Sequence, residues 1–216
     1  MGAWGVVAAL IGALGLVAVW ARPAVAEDPI KIGFGMALTG GLAGNGKAAL
    51  LAMQIWAEEV NKKGRLLGRK VELVYYDDQS KAATVPGIYT KLRDVDKVDL
   101  IVSGYGTNLI APAMPIVIER KLTFIGLFGL AVNEQFHYRH YFGIMPAGPS
   151  PTTDLSAGFF EIAGRQNPKP RTVALVGADA EYAQSALAGA RENAKTHGLR
   201  VVYDKAYPPA TADFTP

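Results

Sequence analysis

IKIGFGMALTGGLAGNGKAALLAMQIWAEEVNKKG, residues 30–64, reads as a buried strand, a glycine-rich turn and a helix in succession. Ile30 to Ala37 is almost continuously apolar, the pattern of a strand covered on both faces. Over residues 46–62 the apolar positions shift to helical spacing, with Ala49, Met53, Trp56, Ala57 and Val60 inward. Asn61 to Gly64 supplies the stop. This is the first half of a strand–helix–strand unit, and it asks for a parallel neighbour.

The rest of the chain supplies neighbours in the same rhythm. Val71–Tyr76 reads as a strand ending at Asp77-Asp78, and a helix fits 81–95, with Pro86 placing its start near residue 85. Leu100–Val102 is a third strand, entering Ser103–Asn108; a helix to about Ile118 and a fourth strand, Leu122–Gly126, follow. Residues 127–150 break the rhythm, with only a short extended run near Tyr141–Met145. It then restarts. Residues 151–164 read as a helix, 172–176 as a strand, 180–197 as a helix and 199–203 as a strand.

Strands separated by helices of this length imply right-handed crossovers and a parallel α/β sheet with helices on both faces. The restart after residue 150 implies two sheets, with a boundary near 143–150. Two strands make a poor independent sheet, so the second unit is expected to be truncated.

Upstream, Gly2 to Trp20 contains no charged side chain, and Arg22-Pro23-Ala24-Val25-Ala26 ends in small residues at positions 24 and 26. Residues 1–26 read as a secretory signal cut after Ala26. The apolar run is also long enough to span a bilayer, with Trp4 and Trp20 near its ends, so a retained anchor is the alternative. Either way the following residues belong outside the cytoplasmic membrane. Without residues 1–26 the chain carries 21 basic against 19 acidic side chains. That balance offers no field for nucleic acid. The absence of cysteine excludes disulfides and thiolate metal sites.

Signals for chemistry are weak. Gly41 to Lys47 has phosphate-loop spacing, but the next residue is Ala48, which has no hydroxyl for Mg²⁺. His137 and His140 have only Glu134 nearby as a further metal ligand. Asp77-Asp78 reads as turn and cap residues rather than an acid–base pair. No Gly-x-Ser-x-Gly element occurs. An enzyme is not expected, nor is a cofactor or metal.

Binding is a better reading. In open parallel sheets ligands sit beyond the carboxyl ends of the strands, where helix N-termini offer free amides to an anion. Thr39, Gly40 and Gly41 follow the first strand, Tyr105, Gly106 and Thr107 the third, and Phe128 and Gly129 the fourth. The Thr107 hydroxyl at a helix start suits a carboxylate, or is simply an N-cap. Tyr105 and Phe128 are either a wall for an apolar ligand or ordinary core aromatics. Thr39 to Gly41 is either a ligand loop or a permissive turn.

Six short motifs then occur in order: Ile30–Gly40, Asn61-Lys-Lys-Gly64, Gly68-Arg-Lys-Val-Glu-Leu73, Asp77-Asp78-Gln79, Asp179-Ala-Glu-Tyr182-Ala183 and Pro208 to Phe214. Together they resemble the type I periplasmic binding proteins that serve branched-chain amino acid ABC importers. The resemblance implies two Rossmann-like lobes: a signal over 1–26, the incomplete first lobe over 27–145 and the start of the second over 146–216. It implies a small-molecule ligand, an amino acid or small carboxylate, held between lobes and delivered to an ABC permease in the inner membrane. It implies that Thr107 aligns with a serine-rich ligand loop, and that Tyr182 reaches the ligand from the second lobe, face-on to an ammonium. The chain departs from the family at Phe128-Gly129-Leu130, where Ala-Ala-Thr is common, and at Ala183, where glycine is. An aromatic or other carboxylic acid is therefore an alternative ligand, and a sensory receptor domain an alternative role.

Overall fold

The computed structural model describes residues 28–209, 211, 213 and 214. The expected signal over 1–26 lies outside the described residues, as do Ala210 and Ala212 of the last motif. The described chain forms two parallel sheets. The first has β1 (Ile30–Met36), β2 (Val71–Asp77), β3 (Leu100–Tyr105), β4 (Phe124–Leu127) and β5 (Tyr141–Gly143), in the order β2-β1-β3-β4-β5. The second pairs β6 (Thr172–Ala178) with β7 (Arg200–Tyr207). β1 and β2 run in register over seven pairs, from Ile30 opposite Val71 to Met36 opposite Asp77. Their carboxyl ends therefore finish level.

Helix α1 (Ala43–Lys62) crosses from β1 to β2, α2 (Val85–Asp94) from β2 to β3, and α6 (Pro151–Gly164) and α7 (Glu181–Thr196) flank the second sheet. α1 starts three residues earlier than its apolar spacing suggests, because Gly46 lets the first turn lie directly on the Ala37 carbonyl, into which any Cβ would run. That close approach explains the glycine of the phosphate-loop look-alike without a nucleotide. The helix after β3 is broken into α3 (Thr107–Ile110), a 3-10 turn (Ala111–Ala113) and α4 (Met114–Glu119). Pro112 and Pro115 lack the N–H groups that an unbroken α-helix needs there. A short helix, α5 (Val132–Phe136), and the parallel strand β5 occupy the stretch that the sequence left irregular.

Each sheet has a main core, and the first sheet carries a further cluster of Ile30, Ile32, Ala57 and Val71. Ala37, Tyr89, Leu92, Val98, Leu109, Ile110, Met114, Val117 and Phe124 are essentially buried in the first. Phe160, Leu175, Leu187, Ala190, Ala194 and Leu199 form the second. Each large apolar side chain so buried contributes about 1.5–3 kcal/mol, so each sheet holds its own helices. Asn193, at the edge of the second core, donates to the Thr153 carbonyl at 2.8 Å and Ser156 Oγ at 2.9 Å and so ties α7 to α6.

Candidate functional site

The carboxyl ends of β1, β3, β4 and β6 open on one cleft of about 690 Å³ between the two sheets. The five-stranded unit supplies Gly41, Leu42, Ser80, Tyr105, Gly106, Thr107, Asn108 and Phe128; Ala178, Ala180, Tyr182 and Ala183 face them from the start of α7, and Met145 and Pro209 complete the lining. No Asp, Glu, Lys, Arg or His side chain is among these residues. The polar groups on offer are hydroxyls, one side-chain amide and backbone.

Thr107 sits at the floor, 1% exposed. Gly106, with φ +89°, is the N-cap of α3, so Thr107 is the first helical residue and not the cap. Only glycine takes that backbone angle without strain. The amides of Leu109 and Ile110 turn back on the Gly106 carbonyl at 3.0 and 3.1 Å. Those of Thr107 and Asn108, in the first turn, have no carbonyl of their own helix to bond. The Thr107 hydroxyl oxygen accepts the Leu130 amide at 2.9 Å. Its proton is left to donate.

Tyr105 and Phe128 stand together as a wall, ring centroids 5.3 Å apart and tilted by 38°. The Tyr105 hydroxyl accepts the Asn45 side-chain amide of α1 at 2.9 Å, which fixes its ring from behind. Phe128 has φ +55° and is 46% exposed. A bulky residue in the left-handed region is strained, and such strain collects at functional sites.

Three of the expected residues are placed elsewhere. Thr39 donates its hydroxyl to Asp77 Oδ2 at 2.6 Å and its carbonyl accepts Ser80 Oγ at 2.7 Å, so it serves the turn after β1. Gly40 backs onto the Gln79 carbonyl and Ser80, and Gly129 onto Ile110, Val132 and Tyr141. The structure brings together Gly41, Tyr105, Gly106, Thr107, Phe128 and Tyr182 at the cleft. It adds Ser80 and Asn108. Ser80 was open to discovery, since it follows the carboxyl end of β2 in the same row. Met145 carries no local signal, because only the fold brings it there.

The two adjacent aspartates do different work. Asp77 collects four donors: the amides of Leu38 at 3.0 Å, Thr39 at 3.2 Å and Gln79 at 2.8 Å, and the Thr39 hydroxyl. Burial pushes its pKa up, but the hydrogen bonds from the Thr39 hydroxyl and these amides outweigh that and hold it below the ordinary carboxylate value. Asp78 is fully buried; Oδ1 accepts the Ser80 amide at 2.8 Å and Oδ2 has no partner. Burial pushes its carboxyl up to about 6, against the Ser80 hydrogen bond and helped by the charge of Asp77. His137 and His140 do not build a centre, and no group of three or more metal-binding side chains occurs among the described residues.

The periplasmic binding protein family model matches residues 29–216. Among solved structures, the chain is similar to a leucine-binding protein, LivK, from Thermotoga maritima, with a TM-score of 0.74 at 21% identity, covering 86% of this chain and 51% of that one. A solute-binding protein of an ABC transporter from Rhodopseudomonas palustris, in complex with 3,4-dihydroxybenzoic acid, gives 0.72 at 22%, covering 87% and 50%. The branched-chain amino acid transporter substrate-binding protein LivJ from Streptococcus pneumoniae, in complex with isoleucine, gives 0.68 at 20%, covering 86% and 51%. The chain thus spans about half the length of the structures it matches. The α/β fold with its level strand ends, and a family match that runs from the first strand to the last residue, make this chain a member of the periplasmic binding protein family.

Proposed function

We propose that this protein is the extracytoplasmic solute-binding component of an ABC importer, which takes up a small apolar carboxylate between two lobes and presents it to the permease. Residues 27–145 are the first part of one lobe and 146–216 the start of the other. The observation that carries the reading is the cleft lining: free amides and a hydroxyl at Thr107–Asn108, an aromatic wall at Tyr105 and Phe128, and no charged side chain. A carboxylate gains several charge-assisted hydrogen bonds there, while its apolar remainder lies on the rings. Tyr182 closes over it from α7, in a hinge movement that selects the closed form.

An apolar amino acid, branched-chain above all, is the first reading of the ligand. An aromatic carboxylic acid is the second. The Tyr105–Phe128 pair favours it, as does the buried Leu130 in the place where the family commonly has a hydroxyl. Neighbours of the same fold hold isoleucine in one case and 3,4-dihydroxybenzoic acid in another. Thermal melts of the full-length protein against both ligand classes separate the readings. A ligand at 100 times its dissociation constant stabilises by about 2.7 kcal/mol. A shift with apolar amino acids supports the first, a shift with aromatic acids alone the second, and none with either overturns both.

A further inference from the structure

One hydrogen bond joins the two halves of the cleft directly. Asn108 Oδ1, from the first turn after β3, accepts the backbone amide of Tyr182 at 3.0 Å. Tyr182 is the second residue of α7, and the N-cap of that helix is Ala180, which has no side-chain oxygen and makes no capping bond. The first amides of any helix need an acceptor from outside the helix, and a side-chain oxygen stabilises the helix in that place. Here the acceptor comes from 74 residues away, on helix α3 of the five-stranded unit. The same bond fixes where the Tyr182 ring enters the cleft, since backbone and ring belong to one residue.

We propose that Asn108 is the positioning residue of lobe closure: it caps helix α7 across the cleft, and so favours the closed arrangement and sets Tyr182 over the ligand. The proposal rests on the two-lobed reading above, but not on any particular ligand. When the lobes part, the Tyr182 amide loses its acceptor to water and the closed state loses one capping bond. Affinity for any ligand then falls by the fraction of molecules that are binding-competent. Through the capping bond, as distinct from its place in the cleft lining, Asn108 acts on all ligands alike, whereas Thr107 and Phe128 discriminate by contact.

The test uses spin labels on the full-length protein. Residues 1–216 contain no cysteine, and in a full-length protein freed of any cysteine elsewhere Glu58→Cys on α1 and Glu192→Cys on α7, both exposed, give one labelled pair across the cleft. Without ligand, Asn108→Ala is expected to shift the distance distribution toward the longer, open population, and Asn108→Asp, which keeps the acceptor, to restore it. Affinity for every bound ligand should fall together by roughly three- to tenfold in Asn108→Ala. In Tyr182→Pro, which lacks the amide, Asn108→Ala should have no further effect on the distances; in Tyr182→Ala, which keeps it, the effect should persist. An unchanged distance distribution in Asn108→Ala overturns the proposal, as does a loss of affinity confined to one ligand. The distance measurement needs no ligand, so its failure is distinct from a failure to find one.

Discussion

The Thr107 hydroxyl oxygen accepts the Leu130 amide at 2.9 Å, so the residue best placed to meet a ligand also ties the loop after β4 to the helix after β3. Its substitution therefore has two effects. Thr107→Ala leaves the buried Leu130 amide unpaired and removes the donor aimed at the ligand, each costing about 1–3 kcal/mol. Thr107→Ser keeps both. Melting temperature and calorimetric affinity should fall together in the first variant and stay near wild type in the second. Lowered stability with unchanged affinity would take Thr107 out of the site.

Phe128 has φ +55°, in the left-handed region. Phe128→Gly relieves backbone strain of about 1–2 kcal/mol, which offsets the lost contact with Tyr105. The melting temperature should change little while affinity for an apolar ligand drops by roughly tenfold. A large loss of stability with full affinity would make Phe128 a core residue and not a wall.

Asp78 should impose a pH dependence of known sign. Its folded-state pKa is raised to about 6 by burial, against about 3.9 for an unfolded aspartate. Its contribution to stability is therefore fully present below about pH 4 and is lost as the pH climbs through 6, on the order of 2 kcal/mol. Asp77, held low, runs the other way: its contribution is present above pH 4 and lost as pH falls. Asp78→Asn keeps the acceptor for Ser80 and removes the charge. Its melting temperature should exceed wild type at pH 7.5, with the gap narrowing toward pH 4.5. A gap that is constant with pH would mean that Asp78 does not titrate in this range.

Much of this was legible in the residues. Buried strands such as Ile30–Met36 announce themselves because both faces are covered, and α7 because Ala183, Leu187, Ala190 and Ala194 keep one face. The parallel strand β5 showed only as a short extended run near Tyr141–Met145, since three residues carry no period and Tyr141–Gly143 is a strand because β4 lies beside it. Strand-end logic named Tyr105, Gly106, Thr107 and Phe128, which line the cleft. It also named Thr39, whose hydroxyl could not be known to point to Asp77, 38 residues on, before the register of β1 and β2 was known. Asn108 was passed over for a related reason. Its partner is an amide on helix α7, which flanks the other sheet, and no local spacing reports that.

The central claim, that free amides at the strand ends hold a carboxylate, is tested most directly by titration calorimetry of the full-length protein with matched pairs: leucine against leucinamide, benzoate against benzamide. The account predicts that one acid binds at a single site and that its amide, nearly identical in shape but without the carboxylate, binds at least tenfold more weakly. Equal binding of an acid and its amide, or binding of neither pair with a neutral or cationic solute bound instead, would contradict it.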